Sequence, residues 1–189
     1  MSKTSHKEEN GMSKVAKRVG VLLVGVVCFS QAQAQEYKPF CEKVTKSPAG
    51  APVPPDSDYE VLGKVIKATE AKEMLSKPNW LMIDTRIKTD YATGTIPKTL
   101  PIVAHYTDEK QDEFREATVL EKLNGFLKTK NKAVKEFTDL NFVLFCSGRK
   151  CHRTTYAACQ LRDMGVAKDK IHMMLGGFPE WKEAGFPVK

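Results

Sequence analysis

Two short apolar runs constrain the fold of this chain more than any other feature: WLMIDTR at Trp80–Arg86 and NFVLF at Asn141–Phe145. Both are almost continuous in apolar residues, which is typical of strands that are buried on both faces of a sheet. Each run leads into polar residues, and segments with helical spacing lie between the runs. This alternation predicts an α/β fold with a central, mostly parallel sheet.

Weaker patterns complete the predicted element order. Three further strands are predicted at Gly63–Ala68, Thr99–Val103 and Lys170–Leu175. Helices are predicted at Thr69–Lys77, with a capping pattern that begins at Thr69, and at Thr154–Met164 and Pro179–Gly185. Residues 108–137 also have helical spacing, which Gly125 and the Lys-rich KTKNK divide into two helices or a helix and a loop.

The first 34 residues have the pattern of a secretory signal peptide. A basic stretch, Lys14 to Arg18, precedes the apolar run Val19–Phe29, which is too short to span a bilayer comfortably. The small-residue motif AQA at Ala32–Ala34 predicts cleavage before Gln35. Export to the periplasm or secretion is therefore the predicted localisation, with no membrane attachment after cleavage. The alternative is an uncleaved membrane anchor.

The predicted domain organisation is a signal peptide at 1–34, a Pro-rich extension or linker at 35–60 and one domain at 61–189. The whole chain of 189 residues carries a formal charge of +7, and loss of five Lys/Arg and two Glu with the signal peptide leaves +4. The sequence has no basic stripe with interleaved aromatic residues, so nucleic acid is not an expected partner. A modest positive field is still able to attract small anions.

Four cysteines remain after cleavage, and an oxidising compartment permits disulfides between them. Cys41 precedes the Pro-rich segment SPAGAPVPPDSD and is either a disulfide partner that holds the extension or a free surface thiol. Cys159 lies beside Ala157, Ala158 and Leu161 in a predicted helix, which indicates a packed core position. The remaining two cysteines, Cys146 and Cys151, lie in one loop.

This loop, within FCSGRKCHRTT, joins a predicted strand to a predicted helix and contains the candidate nucleophile, Cys146. Backbone N–H groups at a helix N-terminus and nearby cations favour a thiolate, so a lowered pKa is expected for Cys146. The same groups are suited to a bound anion, and Gly148 allows the backbone to approach it closely. The candidate binding loop comprises Ser147, Gly148, Arg149, Lys150, Cys151, His152 and Arg153.

Two other interpretations fit the residues of the loop less well. Cys146 could be a small buried hydrophobic residue at a strand end, but the surrounding cations favour a functional role. Cys146, Cys151 and His152 could also supply three zinc ligands. However, their spacing is unusual, no second Cys/His pair follows, and the flanking cations oppose a dication. No metal and no cofactor is predicted.

The order of four motifs resembles the rhodanese, or sulfurtransferase, family. These are LMIDTR, GTIPKTLPI, VLFCSGRKCHRTTYAACQLRDMG and MMLGGFPEWKEAGFPV, which together extend over about residues 60–188. The resemblance implies a central parallel sheet of five strands and a persulfide intermediate on Cys146, held by the loop Ser147–His152. It also implies that Asp84 and Arg86 help to organise the site.

The chain departs from the family pattern in two places. Thr95 occupies the position of a habitual histidine in GTIPK, and the active loop is longer and contains a second cysteine, Cys151. This loop resembles that of an exported branch with the pattern Cys-x-Gly-x-x-Cys-x-Arg-Ser/Thr.

Two functions are therefore expected. The first is a periplasmic sulfurtransferase that moves sulfane sulfur from a donor such as thiosulfate to a thiol or other acceptor. Its partners would be a small sulfur-containing anion or thiol and an acceptor protein of the periplasm. The alternative is a thiol-disulfide redox or sulfur-carrier module that uses Cys146 and Cys151.

Overall fold

The computed structural model describes residues 36–47, 51–129 and 137–189. The predicted signal peptide lies outside the described residues. Within the described ranges, no helix is long and apolar enough to cross a membrane.

A central sheet of five parallel strands forms the fold, as predicted. The strands are β1 (Lys64–Val65), β2 (Trp80–Asp84), β3 (Leu100–Pro101), β4 (Asn141–Phe145) and β5 (Ile171–Met174). Their order across the sheet is β1-β5-β4-β2-β3, and every neighbouring pair is parallel. The two strands with the strongest apolar runs, β2 and β4, pair at the centre of the sheet.

Helices cover both faces of the sheet. They are α1 (residues 36–45), α2 (Ala68–Met74), α3 (Lys88–Ala92), α4 (Glu116–Thr129), α5 (Arg153–Asp163) and α6 (Gly177–Glu183). Short 3-10 helices occur at Asp56–Val61, Phe137–Asp139 and Lys168–Lys170. Alternate residues of β4 enter opposite core clusters: Phe142 and Leu144 pack with α4 and α5, whereas Val143 and Phe145 pack with α2 and α6.

The structure differs from the predicted linker at residues 36–45, which are helical and packed against the domain. Tyr37 and Val44 are buried, and the Tyr37 hydroxyl donates a 2.6 Å hydrogen bond to Asp163. Cys41 forms a disulfide with Cys159 of α5. The prolines that suggested a linker come after this helix, so they do not prevent its formation.

Two smaller predictions also differ from the structure. Helix α4 continues through Gly125, because a helix tolerates a single glycine at a cost of roughly 1 kcal/mol when its other face is packed. Helix α2 begins at Ala68, and its N-terminus is capped by the Glu70 carboxylate, which accepts a 3.1 Å hydrogen bond from the N–H of Lys67. Thr69, the predicted cap, lies inside the helix.

Candidate active site

The register of the sheet brings the two predicted polar clusters to one edge. Asp84 at the end of β2 is the partner of Phe145 at the end of β4, so the residues that follow both strands emerge side by side. The Thr85 hydroxyl and N–H both donate to the Phe145 carbonyl, at 2.8 and 3.0 Å. This double contact fixes the backbone immediately before Cys146.

A second segment holds the backbone of Cys146 from the opposite side. The N–H of Phe178, in α6, donates a 2.8 Å hydrogen bond to the Cys146 carbonyl. Gly177 has a φ of +66°, and a Cβ built there would lie 2.3 Å from the Cys146 oxygen. The GGF motif that opens α6 therefore touches the cysteine loop directly, and only glycine allows this approach.

Cys146 and Cys151 form a disulfide across the loop, with their Cα atoms 6.4 Å apart. A turn closed by a 2.9 Å hydrogen bond from the Cys151 N–H to the Gly148 carbonyl brings the two residues together. Gly148 has a φ of +135°, a conformation that side chains disfavour. The two sulfurs differ in access, because Cys146 is 1% exposed whereas Cys151 is partly exposed.

The three cationic side chains of the loop lie close together in the sequence but have different surroundings in the structure. Arg149 forms an ion pair with Asp56, which belongs to the 3-10 helix before β1. Lys150 is exposed. Arg153 lies against the second cysteine, with its Nη1 3.9 Å from the Cys151 sulfur. The Arg153 guanidinium therefore lies beside the sulfur of Cys151.

The first residues of α5 carry polar atoms without partners among the described residues. These are the buried Nδ1 of His152 and the buried Nε of Arg153. The His152 ring lies 6.2 Å from the ring of Tyr106, measured between centroids. Tyr106 in turn faces Tyr156, whose pKa is raised to about 12 by burial and by a hydrogen bond to Asp112. The Tyr156 hydroxyl therefore remains protonated at neutral pH.

An open cleft of about 560 Å³ lies above the loop. Its lining consists of Tyr106, Thr107 and the loop residues Ser147, Gly148, Arg149, Lys150, Cys151, His152 and Arg153. All the predicted loop residues therefore meet at one surface. Cys146 is not part of this lining, because it lies beneath Cys151 in the disulfide.

Asp84 and Arg86, which the family resemblance predicts to organise the site, form a buried ion pair that does not contact the cysteines in the structure. Arg86 donates to both carboxylate oxygens of Asp84, from Nε at 2.9 Å and from Nη2 at 2.7 Å. The Thr95 hydroxyl donates to the same carboxylate at 2.7 Å. The Arg86 guanidinium lies 4.3 Å from the Phe178 ring, so the pair packs against the residue that binds the Cys146 carbonyl.

Comparison with known proteins identifies this arrangement. The family model of rhodanese-like domains matches residues 67–184, which is most of the chain. The chain belongs to the rhodanese-like domain family. Membership supports sulfurtransferase-type chemistry, although the family is broader than one activity. No curated protein matches the chain.

Three solved structures similar to this rhodanese-like chain are distant from it in sequence. One is the rhodanese-like domain of an Anabaena protein, with 18% identity and a TM-score of 0.43, covering 66% of this chain and 76% of that one. A Bacillus halodurans protein has 15% identity, a TM-score of 0.47 and coverages of 68% and 77%. A thiosulfate sulfurtransferase from Pseudomonas aeruginosa has 17% identity, a TM-score of 0.44 and coverages of 74% and 21%.

The sequence does not predict several residues of the site. Asp90 accepts a 3.0 Å hydrogen bond from the Ser147 hydroxyl, and Asp56 pairs with Arg149. Tyr106 and Gly177 also contact the loop or line its cleft. These residues come from four separate segments, and only the GG pair of the last motif gave a signal, since consecutive glycines before a helix indicate a close backbone contact.

Proposed function

We propose that this protein is a periplasmic sulfurtransferase in which Cys146 carries the transferred sulfur. The reduced Cys146 thiolate attacks the sulfane sulfur of a donor such as thiosulfate, the donor S–S bond breaks, and sulfite leaves. An acceptor thiolate then attacks the sulfane sulfur of the persulfide and regenerates Cys146. The reaction needs no cofactor.

The position of Cys146 at the carboxyl end of β4 is the observation that supports this proposal. The residue follows a buried central strand, and its carbonyl is held by Phe178 while a basic loop leads from it into α5. Arg149, Lys150 and Arg153 favour anionic species in the adjoining cleft. A thiosulfate dianion or a persulfide anion has the size and charge that such a cleft attracts.

Sulfur loading tests the proposal. The mature protein is reduced, incubated with thiosulfate and examined by intact and peptide mass spectrometry, beside Cys146→Ser and Cys151→Ser variants. We expect Cys146 to gain one sulfur atom in the wild type and in Cys151→Ser, and we expect no gain in Cys146→Ser. An adduct that survives in Cys146→Ser and is lost in Cys151→Ser would move the nucleophile to Cys151.

The Cys146–Cys151 disulfide favours a second candidate, a thiol-disulfide redox module. Such a module would exchange electrons with thiols and gain no sulfur from any donor. Equilibration of the pair with reduced and oxidised glutathione, in the absence of sulfur transfer, would support it over the sulfurtransferase.

The periplasmic location rests on the predicted signal peptide at 1–34. Expression of the full chain followed by fractionation and N-terminal sequencing tests this part of the proposal. We expect an exported chain that begins at Gln35. A chain that keeps residues 1–34 in the membrane fraction would support the uncleaved anchor.

A further inference from the structure

We propose that Cys151 is a second catalytic residue, which resolves the Cys146 persulfide and is then the sulfur that an external thiol attacks. This inference rests on the proposed persulfide chemistry and extends it to the fate of the sulfur. The reaction would release hydrosulfide and leave the loop disulfide that the structure contains.

Geometry supports the resolving step. Formation of the Cys146–Cys151 bond shows that the two sulfurs meet without displacement of the surrounding backbone contacts, since the Phe178 and Thr85 hydrogen bonds are present in the same state. Their Cα separation of 6.4 Å lies within the range that disulfides require, 4.4 to about 6.8 Å. A thiol at Cys151 can therefore reach the sulfur of Cys146 in this loop conformation.

Charge also favours Cys151 as the attacking group. The Arg153 guanidinium, 3.9 Å from the Cys151 sulfur, stabilises a thiolate there, and the thiolate is the nucleophilic form. The nearest carboxylates of the loop are engaged elsewhere, with Asp56 paired to Arg149 and Asp90 bound to the Ser147 hydroxyl. Arg153 is therefore a positioning residue for this step.

The resolving step exchanges one S–S bond for another. The Cys151 thiolate attacks the inner sulfur of the Cys146 persulfide, and the bond between that sulfur and the sulfane sulfur breaks. The sulfane sulfur leaves as hydrosulfide and is reduced, while the two cysteines are oxidised to a disulfide. No other oxidant or reductant takes part in this step.

Differential exposure determines how the disulfide is opened again. Cys146 is 1% exposed and lies beneath its partner, whereas Cys151 is partly exposed and lines the cleft. An incoming thiolate, from a low-molecular-mass thiol or an exported dithiol protein, therefore attacks Cys151 and expels the Cys146 thiolate. A second thiol attacks the resulting mixed disulfide at the incoming sulfur, which returns Cys151 to the thiol form and releases the oxidised reductant.

Single-turnover sulfur release tests the resolving step. Reduced protein freed of reductant is mixed with thiosulfate, and hydrosulfide is trapped with a fluorescent bimane while the mass of the chain is followed. In the wild type we expect one sulfur atom to be gained and then lost, with hydrosulfide release and a Cys146–Cys151 disulfide in the peptide map. In Cys151→Ser the adduct should persist at least about tenfold longer, with no hydrosulfide until a thiol is added.

Three comparisons make the result specific. Cys146→Ser should neither gain sulfur nor release hydrosulfide. Arg153→Gln, whose loading by an anionic donor should itself be slower, should also release hydrosulfide more slowly per loaded Cys146, and this release deficit should shrink at a pH high enough to ionise the Cys151 thiol without the guanidinium. The wild-type release rate should be independent of protein concentration, as an intramolecular step requires.

Failure of the inference and failure of the proposed function give different results. A persulfide that forms and decays equally in wild type and Cys151→Ser, with no loop disulfide, overturns the resolving role and leaves the sulfurtransferase proposal intact. A wild type that gains no sulfur from thiosulfate or from a low-molecular-mass persulfide overturns both.

The direction of attack on the disulfide can be tested separately. The oxidised protein is treated with a limiting amount of a single thiol, quenched with acid and mapped by mass spectrometry. We expect the mixed disulfide on Cys151 and a free, alkylatable Cys146. A mixed disulfide found mainly on Cys146 would overturn the proposed direction of attack.

Discussion

The contact between Gly177 and the cysteine loop leaves no room for a side chain at this position. A Cβ at this position would lie 2.3 Å from the Cys146 carbonyl oxygen and 2.6 Å from the Gly148 nitrogen. Both are backbone atoms, so they cannot rotate away as a flexible side chain would. The identity of this residue therefore controls where the backbone of Cys146 lies.

Gly177→Ala should displace the loop and impair sulfur loading of Cys146. The chain offers a matched control in Gly185, which has a φ of +69° but no atom within 4 Å of a built Cβ. Gly185→Ala should cost only the left-handed backbone strain of roughly 1–2 kcal/mol, measured by urea denaturation, and should load sulfur normally. Gly177→Ala should cost more and lose loading. Equal effects of the two substitutions would contradict the proposed contact.

The residues around the site differ in how well one sequence predicts them. Asp84 and Arg86 were selected through the family resemblance, and the structure pairs them in the core beside Phe178. The partners of the loop side chains, Asp56 and Asp90, were not predictable. They lie in a 3-10 helix and in α3, far away in sequence, and only the tertiary fold brings these carboxylates to Arg149 and Ser147.

At the scale of single elements, strand β4 was predicted with its observed bounds, Asn141–Phe145. A strand buried on both faces has a strong sequence pattern, because every residue must be compatible with a core. The edge strands β1 and β3 have only two residues each, and the predictions for them were longer. Helix α1 had no comparable signal, because only part of its surface is buried and a Pro-rich segment follows it.

Strand β5 contains a titratable residue, His172, whose protonation makes the free energy of unfolding depend on pH. His172 is buried, its ring lies 4.7 Å from that of Trp80, and its Nδ1 has no hydrogen-bond partner among the described residues. Burial is the main reason that the pKa of His172 lies below its usual value, and the nearby charge of Lys64 adds to the effect. The folded state therefore binds a proton at this site less readily than the unfolded state.

The free energy of unfolding should therefore fall as the pH falls from about 6.5, the usual pKa of histidine, towards the lower pKa of folded His172. Above that window both states are neutral at this site and the contribution is constant. Urea denaturation across the window should show a steeper decline for wild type than for His172→Gln, which cannot be protonated. Parallel pH profiles would show that His172 does not contribute to this decline.

For the molecule as a whole, the alternation of apolar runs and helical spacing in the sequence predicts the fold class. The sequence does not predict which cysteines form disulfides. Cys159 has the sequence surroundings of a packed helix position, and the structure does bury it in the core. Its bond to Cys41 depends on where α1 docks, which is decided by Tyr37, Val44 and Asp163 together. No local pattern contains that information.

The two disulfides should differ in their effect on stability. The Cys41–Cys159 bond joins residues 118 positions apart, whereas Cys146–Cys151 joins residues 5 positions apart. In the chain-entropy model, closing the longer loop stabilises the fold by about 5 kcal/mol and closing the shorter one by about 2 kcal/mol. The long-range bond is therefore expected to be structural, which leaves the short one available for chemistry.

Paired serine substitutions measure this difference. Cys41→Ser with Cys159→Ser should lower the free energy of unfolding by about 2–5 kcal/mol and increase proteolysis of the α1 segment, which loses its covalent attachment to α5. Cys146→Ser with Cys151→Ser is the matched control and should have the smaller effect. If removal of the Cys146–Cys151 bond lowered the free energy of unfolding more than removal of the Cys41–Cys159 bond, the loop disulfide would be a structural crosslink. A permanent crosslink could not alternate between thiol and disulfide states, so this outcome would also weigh against the reaction cycle proposed for the loop.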